Sequence, residues 1–316
     1  MEIRKIQKTG GSTLVVSLPK AWCQNFDLKV GSKVMLNYNE RGGIMLEPFD
    51  RSQASSAAIV DIKKGTDIEN ELRLLISRYI QGVKKINIRS DDKRMMDDVI
   101  RRFLDYTIGF EITDEKGNEA TLEDLISLPM LTFDKGMRRM VTLVRGIVAE
   151  SVSDQKIHLE YVLQKENEVD KFNIYIQRLF SQSLKDYSVL QLNKITSSEA
   201  LSYLLVSRIL ERIADHGVRI HTVLGGKKME NQQIVNYIKA ATDIMGRSMD
   251  HFFRKDVQSA NAEISKKEYF KEERNNINRK LRGSSDSIMM AEVLEDAERI
   301  ALYSTDICEL IMDYFE

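Results

Sequence analysis

The sequence predicts a multidomain, mainly α protein: a β head, a small α/β middle unit and a C-terminal pair of three-helix bundles. Three observations carry this. Before Pro48 the apolar residues fall in short, alternating, β-branched runs, whereas from Met130 onward they recur at helical spacing. Pro48 and Pro129 sit where the pattern changes. Late in the body, one four-residue run is repeated: Glu211-Arg212-Ile213-Ala214 and Glu298-Arg299-Ile300-Ala301. The boundaries follow as 1–48, 57–128 and 130–316, the last with repeats at about 130–226 and 227–316.

Of 316 residues, 30% are charged and 42% hydrophobic, with only 3 prolines and 16 glycines, a helix-leaning globular composition. The first residues lack the apolar run of a secretory signal, and no window is long and uncharged enough to span a bilayer. A cytoplasmic protein with no membrane insertion is expected. Cys23 and Cys308 have no metal-ligand spacing and read as reduced, small apolar residues. The net charge of −1 excludes a general polyanion binder. Charge is unevenly placed, however, with seven lysines and arginines against four acids in residues 1–48.

In the head, strands are expected at 13–18 and 34–39, with tight turns at Gly10-Gly11 and Gly42-Gly43. Pro19 suits the first position of a short helix. Strands this thin cannot enclose a core, so self-association is expected. The run Ile3-Arg4-Lys5-Ile6-Gln7-Lys8-Thr9-Gly10-Gly11-Ser12-Thr13-Leu14-Val15-Val16-Ser17-Leu18-Pro19-Lys20, with Val30-Gly31-Ser32-Lys33-Val34 and Ile44-Met45-Leu46-Glu47-Pro48, resembles the AbrB/MazE/SpoVT family. That resemblance implies a swapped-hairpin homodimer presenting basic strands to DNA. Arg4, Lys5, Lys8, Ser12 and Lys20 are the matching candidates, as phosphate-contacting groups. The other reading is a dimerisation clip whose basic residues are merely solvated.

The middle unit alternates strand and helix: strands at 57–62 and 85–88, helices around 68–80 and 96–104, then an alternating run 110–119 into a turn. It carries no phosphate-binding glycine loop and no catalytic motif, which leaves a spacer or dimerisation role.

Helices are expected over about 135–153, 156–186, 198–224, 231–255, 261–282 and 287–314, with breaks at Gly225-Gly226 and Gly283-Ser284-Ser285 and a softer one near Asn193. On the third of these, Arg208, Glu211, Arg212, Asp215 and Arg219 form one stripe, either a ligand-binding face or an ordinary solvated one. Glu166 and Asp170 form a second i, i+4 pair on the preceding helix. Were the two helices neighbours, four carboxylates and the amide oxygen of Asn173 would converge on a hard cation.

Leu210-Glu211-Arg212-Ile213-Ala214-Asp215-His216, with Lys165-Glu166-Asn167-Glu168-Val169-Asp170-Lys171-Phe172-Asn173 upstream, resembles PhoU-type phosphate-uptake regulators. The order of an AbrB-like head and this body resembles the archaeal members. The resemblance implies two three-helix bundles able to hold multinuclear metal clusters, and a role in restraining phosphate uptake. The expected first-repeat ligands are Glu166, Asp170, Asn173, Glu211 and Asp215, for a divalent or ferric cluster of iron, zinc, manganese or magnesium. Arg219 stands where the family usually has an amide. In the second repeat Leu302 falls at the Asp215 position, and the weaker set is Glu268, Glu272, Glu298 and Asp306. Another register puts Lys267 and Lys271 there instead.

The function expected is a DNA-binding transcriptional regulator of phosphate homeostasis with a metal- or effector-sensing body. The alternative is a dimeric adaptor that restrains a phosphate transporter or its sensor kinase without binding DNA. An enzyme is not expected: none of the four histidines lies three residues after a glutamate, as carboxylate-bridged metal enzymes of helical bundles require.

Overall fold

The structure, a computed structural model, describes residues 2–38, 43–49, 57–125, 131–152, 158–225, 229–284 and 286–315. The expected seam at Pro129 and Met130, the linker at 50–56, Gly42, Gly226 and Ser285 lie outside these residues. The chain divides into two compact units, 1–55 and 56–316.

In the first unit, β1 (Gln7–Thr9) pairs antiparallel with β2 (Thr13–Val15), Gln7 opposite Val15. Gly10 makes the turn at a φ of 65°, which suits a residue without Cβ. The strand expected to reach Leu18 ends at Val15, and Pro19 caps helix α1 (Lys20–Asn25) rather than opening it. β3 (Val34–Tyr38) and β4 (Ile44–Pro48) form a second antiparallel pair. No described residue from 2 to 49 is buried. Ile3, Ile6, Leu14, Leu36 and Ile44 are each more than half exposed.

The second unit opens with β5 (Ala57–Ile62), α2 (Ile68–Ile80), β6 (Lys85–Ser90), α3 (Lys93–Tyr106), β7 (Phe110–Lys116) and β8 (Glu119–Asp124). The sheet order is β5-β6-β8-β7. β5 and β6 run parallel, and β8 is antiparallel to both β6 and β7. Asp67 and Asp92 accept backbone N–H bonds at the starts of α2 and α3, which fixes where each helix begins. Ile86, Ile88, Ala120 and Leu122 alternate onto a core shared with Leu75, Tyr79, Val99 and Phe103. Tyr79, Phe103 and Phe110 meet edge-on at its centre, with centroids 5.6 to 6.2 Å apart.

The helical body follows with α4 (Phe133–Glu150), α5 (Leu159–Ser183), α6 (Ser188–Asn193) and α7 (Ser197–Leu224). Its second half is α8 (Gln232–Arg254), α9 (Val257–Ile264), α10 (Lys266–Leu281) and α11 (Ser287–Tyr314). α4, α5 and α7 pack on one another; α8, α9 and α10 gather on α11, and α7 lies against α11. The pair of three-helix units is therefore present, with two amendments. The helix expected over 261–282 is two, starting earlier at Val257, where the Asp256 carboxylate accepts from Ser259, and interrupted at Ser265. The soft break near Asn193 holds a helix, α6, closed by Lys194 in the left-handed region at a φ of 53°. α7 starts in a capping box of Thr196 and Glu199 and stops at Gly225. Gly217 lets α4 and α7 approach closely: a Cβ there would lie 2.7 Å from Ile147 Cγ2. No described helix is long and apolar enough to cross a membrane.

The middle unit is fastened to the body by Arg178 of α5, whose side chain is 2% exposed. It donates to the carbonyls of Tyr79 and Val83 and, at 2.6 Å, to the Asp124 carboxylate. Its guanidinium also lies over the rings of Tyr79 and Phe110, 4.5 and 5.4 Å from their centroids. Substituting Arg178→Met removes these bonds and the charge that balances Asp124. A loss of about 3–5 kcal/mol in unfolding free energy is expected, read by urea denaturation.

Candidate functional site

Helix α5 buries Val162, Val169, Ile176 and Leu179 at helical spacing, which turns Glu166 and Asp170 together along its adjacent face. Helix α7 buries Val206, Leu210, Ile213 and Ala214, and so presents Glu211 and Asp215 in the same way. The two helices are neighbours. Glu166, Asp170 and Glu211 are half-buried and Asp215 is exposed. Among the described residues none of the four meets a lysine or arginine at salt-bridge distance.

Their acidities report the crowding. Burial, then Glu166, Glu211 and Asp215, pushes Asp170 up to about 7. Glu166 is raised by burial and by Asp215 and Glu211. Glu211 is raised by burial and Asp215, with Arg212 and Arg208 in partial opposition. Asp215 is raised by burial and eased by His216. These are four carboxylates, hard oxygen donors, with no salt-bridge partner among the described residues, the chemistry a hard cation calls for. Among the described residues, however, no three Asp, Glu, His or Cys side chains are gathered closely enough to cage one ion. The four form an acidic face, not a closed shell of protein ligands.

Asn173 and Arg219 have other tasks. Asn173 is buried and its amide oxygen accepts from Ser207 Oγ at 3.0 Å, tying α5 to α7. Arg219 lies 3.4 Å from Asp296 of α11, a buried carboxylate that is also 2.7 Å from His216 Nδ1. The cation that the sequence sets beside the stripe is thus engaged across the bundle. Arg208 bonds Gln177 of α5 at 3.3 Å.

Sequence reasoning missed a contribution from the middle unit. Tyr106, at the end of α3, is raised by burial and by Asp170 and Glu166. Beside it, Lys171 Nζ donates to the Leu104 carbonyl at 3.4 Å. A cleft of about 500 Å³ opens there between Tyr106, Arg102 and Glu69 on one side and Gln164, Glu168 and Lys171 on the other. Nothing in the local pattern of 93–106 marks Tyr106, because its neighbours come from α5, far along the chain.

The second-repeat set of Glu268, Glu272, Glu298 and Asp306 is not brought together. Glu268 and Glu272 are exposed, with Glu268 bonded to Lys271 one turn on. Glu298 and Asp306 face the other side of α10, where Arg274 and Lys267 hold them at 2.6 and 3.0 Å. A single step of register along α10 separates the acidic face from the basic one, and the basic one faces α11.

In the head, Arg4, Lys5 and Lys8 lie on and before β1, Ser12 in the hairpin turn and Lys20 at the start of α1, all exposed. Arg4 pairs with Glu2 and reaches Ser17 Oγ at 3.4 Å. Lys5, Lys8 and Lys20 make no such pairing among the described residues.

Asp170 binds its proton more tightly in the fold than in the unfolded chain. Its contribution to stability is therefore fully present below the ordinary 3.8 and is lost as pH rises through about 7. Asp170→Asn should accordingly raise the urea midpoint at about pH 8 and leave it nearly unchanged near pH 4. An equal change at both values would show that Asp170 does not titrate in this way.

Two family models match the chain. One, described as antidote-toxin recognition MazE, bacterial antitoxin, matches residues 7–53. The other, the PhoU domain, matches residues 137–223, the stretch that holds Glu166, Asp170, Glu211 and Asp215. No curated protein and no solved structure matches. The MazE model thus matches the N-terminal stretch of the chain, and the PhoU model matches the first half of its helical body.

Proposed function

We propose that the protein is a dimeric, DNA-binding regulator of phosphate homeostasis whose helical body senses a cation or a cation-linked effector. The observation that carries this is the presence in one chain of a MazE-type segment and a PhoU domain. Both families are regulatory, which favours a regulator over an enzyme. The unburied head supports self-association, because its exposed apolar side chains need a partner surface. Lys5 and Lys8, exposed on and beside β1, supply charge suited to phosphate contacts, with Arg4, Ser12 and Lys20 around them.

In the body, Glu166, Asp170, Glu211 and Asp215 would hold a hard divalent or ferric cation. Such an ion, when bound, supplies positive charge to a crowded acidic face. The chain's own part is to keep the four carboxylates unpaired and to set Tyr106 and Lys171 beside them, where a change of charge is felt by the middle unit. The pairing of Arg4 with Glu2 leaves room for the adaptor reading, in which the head only dimerises and the body docks on a phosphate transporter or sensor kinase.

Duplex DNA titrated by fluorescence anisotropy at several salt concentrations separates the two. Salt-sensitive binding by the wild type is expected. Changing Arg4, Lys5 and Lys8 to alanine should weaken it and flatten the plot of log K against log salt by about 0.9 for each phosphate no longer neutralised. Absence of salt-sensitive binding by the wild type ends the DNA reading, and recovery of transporter or kinase subunits in a pull-down would then favour the adaptor.

A further inference from the structure

The second half of the body carries a face with the spacing of the first and the opposite charge. On α10, Lys267, Lys271 and Arg274 follow one another at steps of four and three, the steps that separate Glu166, Asp170 and Asn173 on α5. Lys267 Nζ lies 3.0 Å from Asp306 Oδ1 and 2.7 Å from Glu309 Oε1. Arg274 Nη1 lies 2.6 Å from Oε2 of Glu298, a residue only 5% exposed. Glu298 opens the same Glu-Arg-Ile-Ala run as Glu211. The molecule therefore contains its own comparison: the repeated glutamate has a guanidinium partner in one half and crowded carboxylates for neighbours in the other. Among the described residues Lys271 pairs with the exposed Glu268 of its own helix, and it stands outside the set.

We infer that Lys267 and Arg274 are built-in counter-ions which lock the second half shut, so that it takes no divalent cation and the chain has a single cation-responsive half. The ammonium is well suited to this. Burial pulls the Lys267 pKa down, but its bonds to Glu309 and Asp306 more than offset that and hold it above the ordinary value. The Arg274–Glu298 pair is mostly removed from water, where an arginine's charge is permanent. A divalent ion would have to displace both cations from their carboxylates. Among the described residues of the first half, no lysine or arginine is paired with the four carboxylates and would need displacing. That the first half responds rests on the cation reading proposed above; the lock stands on the second half's own bonds.

Two measurements on the full-length protein test it. Bound metal is counted by elemental analysis after dialysis against Mn²⁺ and removal of free ion. Wild type and the E298Q/D306N variant should retain equal Mn²⁺, whereas D170N/D215N should fall to background. A fall in E298Q/D306N overturns the inference; where that protein does not fold, Asp306→Asn alone supplies the count. Melting in EDTA tests the lock independently. Lys267→Met and Arg274→Met are each expected to lower Tm by several degrees, and unchanged melting in both overturns it. Should the wild type retain no Mn²⁺, the cation reading of the first half fails, while the EDTA melts still decide whether the second half is locked.

Discussion

One guanidinium joins the two parts of the larger unit. Arg178 leaves the C-terminal part of a long amphipathic helix, enters the α/β unit and ends among two backbone carbonyls, a carboxylate and two aromatic faces. Taking that charge out of water is costly unless each donor finds an acceptor, and the middle unit is arranged to provide them. Tyr79 illustrates how tightly the parts are shared. Its ring packs Phe103 and Phe110, its carbonyl accepts from Arg178, and its hydroxyl donates to the Ile108 carbonyl at 2.9 Å. Because α5 also carries Glu166 and Asp170, the acidic face and the middle unit are mounted on one rigid element. Tyr106 and Lys171 make a second contact nearer the site, so a shift of α5 cannot leave the α/β unit behind.

The two halves of the body handle carboxylates in opposite ways. In the second, desolvation of Glu298 is offset by a direct bond to Arg274, and Asp296 is met by His216 and Arg219 from α7. In the first, burial and then the like charges around it push Asp170 up to about 7. The second half supplies counter-charges at Lys267 and Arg274; among the described residues the first half sets none at salt-bridge distance from its four carboxylates. Keeping the repulsion costs stability, and a cost of that kind is expected where a site must respond to something outside the chain.

Much of this was legible in the residue order. Helical periodicity placed five of the six expected helices of the body to within a few residues, and the repeated Glu-Arg-Ile-Ala run marks one long helix in each half. What escaped depends on neighbours distant in sequence. Strand β8 has only Ala120 and Leu122 to mark its buried face, too little for a periodic signal, yet pairing with β6 and β7 makes it central. The break at Ser265 lies within a run whose polar residues fit one helix as well as two. On α10, Glu268 with Glu272 and Lys267 with Lys271 have identical spacing, and it is packing against α11 that turns Lys267 toward Asp306 and leaves the other three exposed. Arg219 reads as a neighbour of Asp215 because they share a helix; its partner Asp296 is on another.

The head sets a different constraint. Its hairpins obey local rules of turn and pairing, yet no described side chain from 2 to 49 is buried. Local rules alone do not stabilise so thin a structure, because ordering each residue costs entropy that only buried apolar area offsets. The apolar residues are present, at Ile3, Ile6, Leu14, Leu36 and Ile44, but they face outward. The partner always available at matching concentration is a second copy of the same chain, and a two-fold axis would make the patch complementary to itself. The same axis would bring two copies of the Lys5 and Lys8 strand to one duplex. Each phosphate contact is weak alone, so pairing the heads is the step that would turn a mildly basic strand into a DNA-binding surface.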